Sequence, residues 1–209
     1  MRAGWSPRGT RRRDPLGVVL AGGLGRRIGG AKAMVKLDGR PLLTYSLEAV
    51  WRALGSVTVV AKRDSELPSL RGVEVWVEPD LPRHPLAGIV HALHRATGRP
   101  VLVCPGDLPL ISAELLRRLA REDPGDAPAV VASDRGCLEP LLGCYHAPAL
   151  APLTAALADE TVSAREAVTG LNPRLVEVEH PEELLNVNRP EDLLRAAAAM
   201  DRRGRISRT

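Results

Sequence analysis

The sequence has no phenylalanine, two tyrosines, three tryptophans and three cysteines, and its longest apolar runs are short. Each shortage excludes something. A chain so poor in aromatic rings makes a poor stacking platform for nucleic acid. The cysteines, Cys104, Cys137 and Cys144, are odd in number and lack a C-x-x-C spacing, which argues against a disulfide framework and a structural zinc site; free, mostly buried thiols are expected. A membrane-spanning helix needs ~18 or more consecutive apolar residues, and no run approaches that. No apolar segment follows the arginine-rich N-terminus, so no signal peptide is visible and a cytoplasmic location is expected.

The net charge of +4 sits at the ends. Residues 1–14 hold five arginines and one aspartate, and residues 201–209 hold four arginines and one aspartate. With +4 and +3 in those ends, the stretch between them is at −3. The ends lack apolar periodicity and read as disordered basic tails, 1–14 and 201–209, flanking a single domain at 15–200. A slightly acidic domain is not a specific nucleic-acid surface. At 209 residues and 44% hydrophobic, the chain can bury one sizeable core.

Along the chain, short β-branched runs alternate with helical patterns. The runs at 16–21, 56–61, 73–77, 100–104 and 127–132 are nearly continuous in apolar residues, as strands covered on both faces must be. Helical patterns fill 41–54, 85–96 and 112–121, the last with Ser112 as N-cap. This rhythm predicts an α/β fold with a doubly wound, mostly parallel sheet in a three-layer α/β/α arrangement. After residue 133 the rhythm loosens through "EPLLGCYHAPAL", two alanine-rich helices, a strand at 174–179 and a final helix opened by "NRPEDLL".

Ligands of such sheets bind at the carboxyl ends of the strands, and the first connection is the usual phosphate cradle. Here that connection lies within "VVLAGGLGRRIGGAKAMVKLDG" (18–39). Glycines 22, 23, 25, 29 and 30 let backbone N–H groups approach an anion, and Arg26, Arg27 and Lys32 add charged donors around it. A glycine-rich surface turn is the plainer reading of the same residues. Lys32 stands between two alanines, so this is no P-loop. The spacing "GLGRRIG" misses the dinucleotide fingerprint by one residue, although this loop alone leaves an NADP site open.

Two further stretches bear on the site. "VLVCPGDLPLI" places Asp107 just past the buried fourth run, where a carboxylate can hold magnesium; a turn before Pro109 is its plainer role. "LLNVNRPEDL" offers Asn186 and Asn188 ahead of a helix starting near Pro190, where an asparagine N-cap is expected in any case.

Taken together, the ordered pieces Leu20–Gly23 (LAGG), Arg27–Gly29 with Lys32, Gly39–Leu43 (GRPLL), Pro85–Gly88 (PLAG), Pro105–Pro109 (P-x-D-x-P) and Asn186–Leu193 (N-x-N-x-P-E-D-L) resemble the nucleotidyltransferase superfamily. The resemblance is strongest to the molybdenum cofactor guanylyltransferases and covers residues 16 to about 197. It implies a Rossmann-like nucleotidyltransferase fold. It also implies that Leu20, Ala21, Gly22 and Gly23 cradle the nucleotide, with Arg27 and Lys32 on its triphosphate. Asp107 would bind nucleotide and Mg2+, Asn188 would be a second metal ligand with Asn186 close by, and Glu78 would stand where the family carries a shorter acid. The chain departs from the family at Ala31 (usually acidic), Val60 (usually polar) and His84 (usually glycine).

The implied reaction is transfer of GMP from GTP to the terminal phosphate of molybdopterin, with pyrophosphate leaving and Arg27, Lys32 and Asp107 catalytic. GTP and molybdopterin are thus the implied partners, together with transient contacts to other cofactor-biosynthesis or acceptor proteins. An ionised phosphate nucleophile needs no general base, in keeping with a site without an evident histidine or paired carboxylates. His91 and His94 share a helix face but lack a third ligand, and His146 and His180 fall in loops. The open alternatives are a related transferase (cytidylyl transfer to molybdopterin, or a sugar or lactyl phosphate acceptor) and a non-catalytic nucleotide-binding domain.

Overall fold

A computed structural model describes residues 14–21, 32–159 and 161–206. In chain order its elements are β1 (Leu16–Leu20), β2 (Lys36–Leu37), β3 (Arg40–Pro41), α1 (Leu43–Leu54), β4 (Thr58–Ala61), β5 (Glu74–Val77), α2 (Leu86–Arg95) and β6 (Val101–Pro105). They continue with α3 (Ala113–Arg121), β7 (Ala129–Asp134), β8 (Cys137–Tyr145), α4 (Leu150–Leu157), α5 (Ala164–Gly170), β9 (Arg174–Glu177) and α6 (Pro190–Ile206).

Seven strands form one sheet in the order β5-β4-β1-β6-β8-β7-β9, while β2 and β3 pair in a small antiparallel ribbon. Strand β8 alone runs against the others, antiparallel to both β6 and β7. The remaining pairings, β1 with β4 and β6, β4 with β5, and β7 with β9, are parallel. The expected mostly parallel, doubly wound sheet is therefore present.

Period-two alternation divides the core between the two faces. Val19, Leu102, Cys104, Val130 and Ala132 turn to the side packed by α1 and α3. Val18, Val101, Val103, Ala129 and Val131 turn to the side packed by α2, α4 and α5. Central strands with both faces covered have no room for a polar alternation, so β1, β4 and β6 are read directly from their apolar runs. A third, smaller cluster joins the ribbon to α6 through Leu37, Leu42, Tyr45, Val187 and Ala196.

The stretch "CLEPLLGCY", where the sequence rhythm loosened, is the reversed strand β8. Its turn from β7 has positive φ at both Arg135 and Gly136 (51° and 76°), the backbone that a twisted two-residue hairpin demands. Gly143 allows the close pairing that follows, because a Cβ there would stand 2.6 Å from the Val130 carbonyl oxygen. Cys104 and Cys144 are buried and Cys137 is exposed, all free.

The C-terminal end differs from the expected basic tail beginning at residue 201, because α6 continues to Ile206. Arg203 donates to the Leu110 carbonyl at 2.6 Å and reaches Glu182 at 3.4 Å. Charge and low hydropathy suggested disorder there, but Ala196 and Ala199 give the helix a buried face that carries the chain onward. No helix among the described residues is long and apolar enough to cross a membrane.

Candidate functional site

From β1 the chain steps outward to β4 and β5, then crosses back through α2 to β6 on the other side of β1. The carboxyl ends of β1 and β6 thus border the crevice where strand order reverses, the ligand position of an open α/β sheet. The two ends are joined by a hydrogen bond from Gly106 N to the Leu20 carbonyl, 2.9 Å. Gly106 permits this approach: a Cβ would come within 2.9 Å of that same oxygen and 2.7 Å of Leu43 Cδ1. The result is that Asp107 is delivered to the mouth of the crevice.

Three segments distant in sequence converge on one ammonium. Lys32 Nζ lies 2.5 Å from Asp107 Oδ2, 2.5 Å from Asn188 Oδ1 and 3.2 Å from Asn186 Oδ1. The asparagines are held by the backbone around them. Val187 N donates to the Asp107 carbonyl at 3.0 Å, and Asp192 Oδ2 accepts from both Asn188 N and Arg189 N at 3.0 Å. Those two bonds hold the Asp192 carboxyl below the usual carboxylate range, the Asn188 bond being the larger cause. Asp192 thereby caps α6 from within its first turn, whereas the Asn188 side chain, expected as the N-cap, turns its Oδ1 to Lys32 instead.

A cavity of about 350 Å³ opens from this cluster towards β4 and β5, with Leu20, Val60, Lys62, Glu78, Gly88 and Asp107 among its lining residues. Glu78 is 7% exposed and follows β5, its N–H bonded to the Ala61 carbonyl at 2.9 Å. Its Oε1 lies 3.4 Å from Lys62 Nζ, which also donates to the Pro79 carbonyl. Glu78 Oε2 is buried without a hydrogen-bond partner. Burial pushes this carboxyl above its ordinary pKa, and the nearby Lys62 ammonium pulls it back only in part.

The structure brings together Leu20, Lys32, Glu78, Asp107, Asn186 and Asn188 as expected, and Ala21 continues from β1 with its N–H on the Val60 carbonyl at 2.8 Å. Gly22, Gly23 and Arg27 lie outside the described residues. Lys62 joins the site without having been expected there; its signal in the sequence is a basic side chain placed just after a wholly buried strand. Two departures from the family pattern acquire structural roles. Val60 belongs to the buried apolar cluster and forms part of the cavity wall. His84 accepts from Leu86 N at 3.2 Å through Nδ1, which leaves Nε2–H to donate to the Val162 carbonyl at 3.1 Å, tying the start of α2 to the loop before α5.

Fit to a divalent cation can be judged from the donor set. Asp107 Oδ1 is buried without a partner, and the neighbouring oxygens of Asp107, Asn186 and Asn188 already surround a positive charge. Among the described residues no cluster of three or more His, Cys, Asp or Glu is placed to hold a metal. One carboxylate with amide oxygens suits magnesium that takes its remaining ligands from substrate phosphates and water.

The MobA-like NTP transferase domain family matches residues 17–175. A protein of Halalkalibacterium halodurans named probable molybdenum cofactor guanylyltransferase is 31% identical over 191 residues, 86% of this chain and 96% of the relative. A relative of the same name from Thermococcus gammatolerans is 31% identical over 85% of this chain and 96% of its own length. The crystal structure of molybdopterin-guanine dinucleotide biosynthesis protein A from Archaeoglobus fulgidus superposes with a TM-score of 0.73 at 26% identity, covering 89% of this chain and 98% of that one.

Proposed function

Because this chain belongs to the MobA-like NTP transferase domain family, we propose that it transfers GMP from GTP to the terminal phosphate of molybdopterin and releases pyrophosphate. The observation that carries this reading is the convergence of Lys32, Asp107, Asn186 and Asn188 at the switch-point crevice. It gathers an ammonium, a carboxylate with a free oxygen and two amide oxygens where a triphosphate would lie.

An acceptor phosphate oxygen attacks the α-phosphorus of GTP; the new P–O bond forms as the bond to the β-phosphate breaks, and pyrophosphate carries away the electron pair. The nucleophile is already ionised, so no side chain has to take a proton. Lys32, released from Asp107 and the asparagines, follows the negative charge that grows on the departing pyrophosphate. Asp107, Asn188 and Asn186 would hold magnesium, which when bound polarises the phosphoryl oxygens and neutralises their charge. Gly22, Gly23 and Arg27 complete the phosphate cradle in this reading.

The adjoining cavity suits guanine. Guanine presents a carbonyl acceptor beside two donors, the ring N–H and the 2-amino group. Glu78 Oε2 offers an acceptor to those donors, and Lys62 supplies a donor for the carbonyl. Adenine reverses this polarity and would set its ring nitrogen against the carboxylate.

A panel of GTP, ATP, CTP and UTP with magnesium tests the nucleotide, because a ligand at a hundred times its Kd stabilises by ~2.7 kcal/mol. Pyrophosphate release dependent on both GTP and molybdopterin tests the transfer. Stabilisation by CTP in preference to GTP, or no release with both substrates present, would overturn the proposal.

A further inference from the structure

A second, smaller cavity of about 180 Å³ lies across Asn186 from the first. Pro105, Leu141 and Asn186 line both, so the two meet beside the Lys32–Asp107–Asn186 cluster, where the proposed reaction puts the triphosphate. An in-line displacement brings the acceptor to that point from the side opposite the departing pyrophosphate. With the nucleotide in the first cavity, the second is the space beside Asn186 left for that acceptor, with Leu108, Pro140, Leu142 and Leu184 as apolar walls and Glu139 and Arg165 as its charged groups.

These two charged groups repeat the pattern of the first cavity. Glu78 is paired with Lys62 at 3.4 Å, and Glu139 with Arg165 at 3.8 Å. Both separations are longer than a closed charge-assisted hydrogen bond, so both pairs retain bonding capacity for a ligand. Arg165 is held by its other nitrogen, Nη1, which donates to the Leu138 carbonyl at 2.5 Å and contacts Cys137 Sγ at 2.7 Å. That leaves Nη2 on the Glu139 side. Desolvation raises the Glu139 carboxyl above its ordinary pKa, as it does for Glu78, against the lowering effect of Arg165.

A pterin ring carries the same edge as guanine: a ring N–H and a 2-amino group beside a carbonyl. We propose that the Glu139–Arg165 pair is the subsite that binds the acceptor's pterin ring, with Glu139 accepting from the ring N–H and the 2-amino group and Arg165 donating to the 4-oxo group. This inference rests on the reading of the acceptor as molybdopterin. One site would then recognise two substrates of like edge with two carboxylate–cation pairs, one in each cavity beside Asn186.

Free pterin and lumazine separate the possibilities. Lumazine replaces the 2-amino donor with an oxo acceptor, which a carboxylate repels, and the fluorescence of both rings reports binding. The parent protein should bind pterin at least tenfold more tightly than lumazine. Glu139→Gln should weaken pterin at least tenfold and abolish the discrimination while leaving GTP affinity unchanged; Glu78→Gln should do the reverse. The unchanged GTP affinity also certifies the fold of the Glu139 variant. The inference is overturned if the parent protein binds no pterin or fails to distinguish the two rings, if Glu139→Gln keeps both affinity and discrimination, or if GTP competes with pterin. A protein that discriminates the rings through Glu139 but transfers no GMP to molybdopterin would instead overturn the proposed function.

Discussion

Lys32 and Asp107 are 75 residues apart in the chain, yet the lysine ammonium stands 2.5 Å from the aspartate's Oδ2. The pair is mostly shielded, with side chains 11% and 20% exposed. Asp107 Oδ1 has no partner, while Asn188 and Asn186 share the same ammonium. Lys32 therefore neutralises the very oxygens assigned to magnesium. In the proposed reaction, a metal-loaded triphosphate would take the place of the ammonium on these oxygens and leave Lys32 free for the phosphates.

The two members of that pair should fail differently. Asp107→Ala removes the central carboxylate, so transfer should be abolished and GTP binding should lose its magnesium dependence, with the fold retained. Lys32→Ala removes charge stabilisation that matters most as pyrophosphate leaves, so kcat should fall by orders of magnitude with a smaller effect on GTP Kd. Gly22→Val, by crowding the phosphate cradle, should block binding itself. Calorimetric GTP affinities and single-turnover rates separate these outcomes, and normal turnover by Lys32→Ala would remove the lysine from the mechanism.

The pH behaviour of nucleotide binding should carry the signature of Glu78. Its carboxyl is raised chiefly by burial, so the proton returns at a higher pH than on an exposed glutamate. As pH falls through that raised value, the carboxylate loses its acceptor for the base and GTP affinity should drop. Lys62→Met removes the opposing charge and should move the drop to still higher pH; Glu78→Gln should eliminate it. Stability has the opposite sign. The native state holds this proton more tightly than the unfolded chain, so stability declines as pH rises from the ordinary carboxylate value to the raised one. Titrating GTP affinity and denaturant stability together tests both signs.

The parallel strands could be read in the sequence because doubly covered strands are apolar throughout, and Lys32 and Asp107 because ligands meet the carboxyl ends of such strands; Leu20, Glu78 and the joining of Asn186 and Asn188 to them were legible only through the resemblance to the family's ordered motifs. Strand β8 could not be read so easily. Glu139, Pro140 and Gly143 break its periodicity, and its reversed place between β6 and β7 is a tertiary outcome. The "DRG" turn before it, with two positive φ values, was the available local signal. Each site residue also had an ordinary local role, and Asn188 and Asp192 do serve the start of α6. Their common partner Lys32 emerges only when the chain folds. Lys62 and Arg165 likewise acquire their carboxylate neighbours, Glu78 and Glu139, only in the folded chain.

The two ends should respond unequally to removal. Deleting residues 1–13, which lie outside the region of family resemblance, should leave kcat/KM for GTP unchanged within a few fold. At the other end, Arg203 anchors α6 to the Leu110 carbonyl, and Arg203→Ala should cost about 1–2 kcal/mol of stability. Equal stability of Arg203→Ala and the parent in urea would show that this anchor is dispensable.

Two glycines beside Leu20 should separate binding from folding. At Gly88, within α2, an added Cβ would lie 2.9 Å from Leu20 Cδ2 and 3.3 Å from Glu78 Oε2. Leu20 Cδ2 is the end of a movable side chain that lines the larger cavity, so the overlap can be relieved by turning Leu20 into the space assigned to GTP. The helix meanwhile gains about 1 kcal/mol from replacing glycine with alanine. Gly88→Ala should therefore fold with near-parental stability and bind GTP at least tenfold more weakly. At Gly106 the overlap is with the Leu20 carbonyl itself, at 2.9 Å, and it can be relieved only by separating the ends of β1 and β6. Gly106→Ala should accordingly lose about 1–3 kcal/mol, break the Gly106 N–Leu20 O bond and displace Asp107, reducing stability and turnover together. Thermal unfolding and GTP calorimetry on the two variants decide the matter: parental GTP affinity in Gly88→Ala would mean that the nucleotide does not use the space between Leu20 and Glu78.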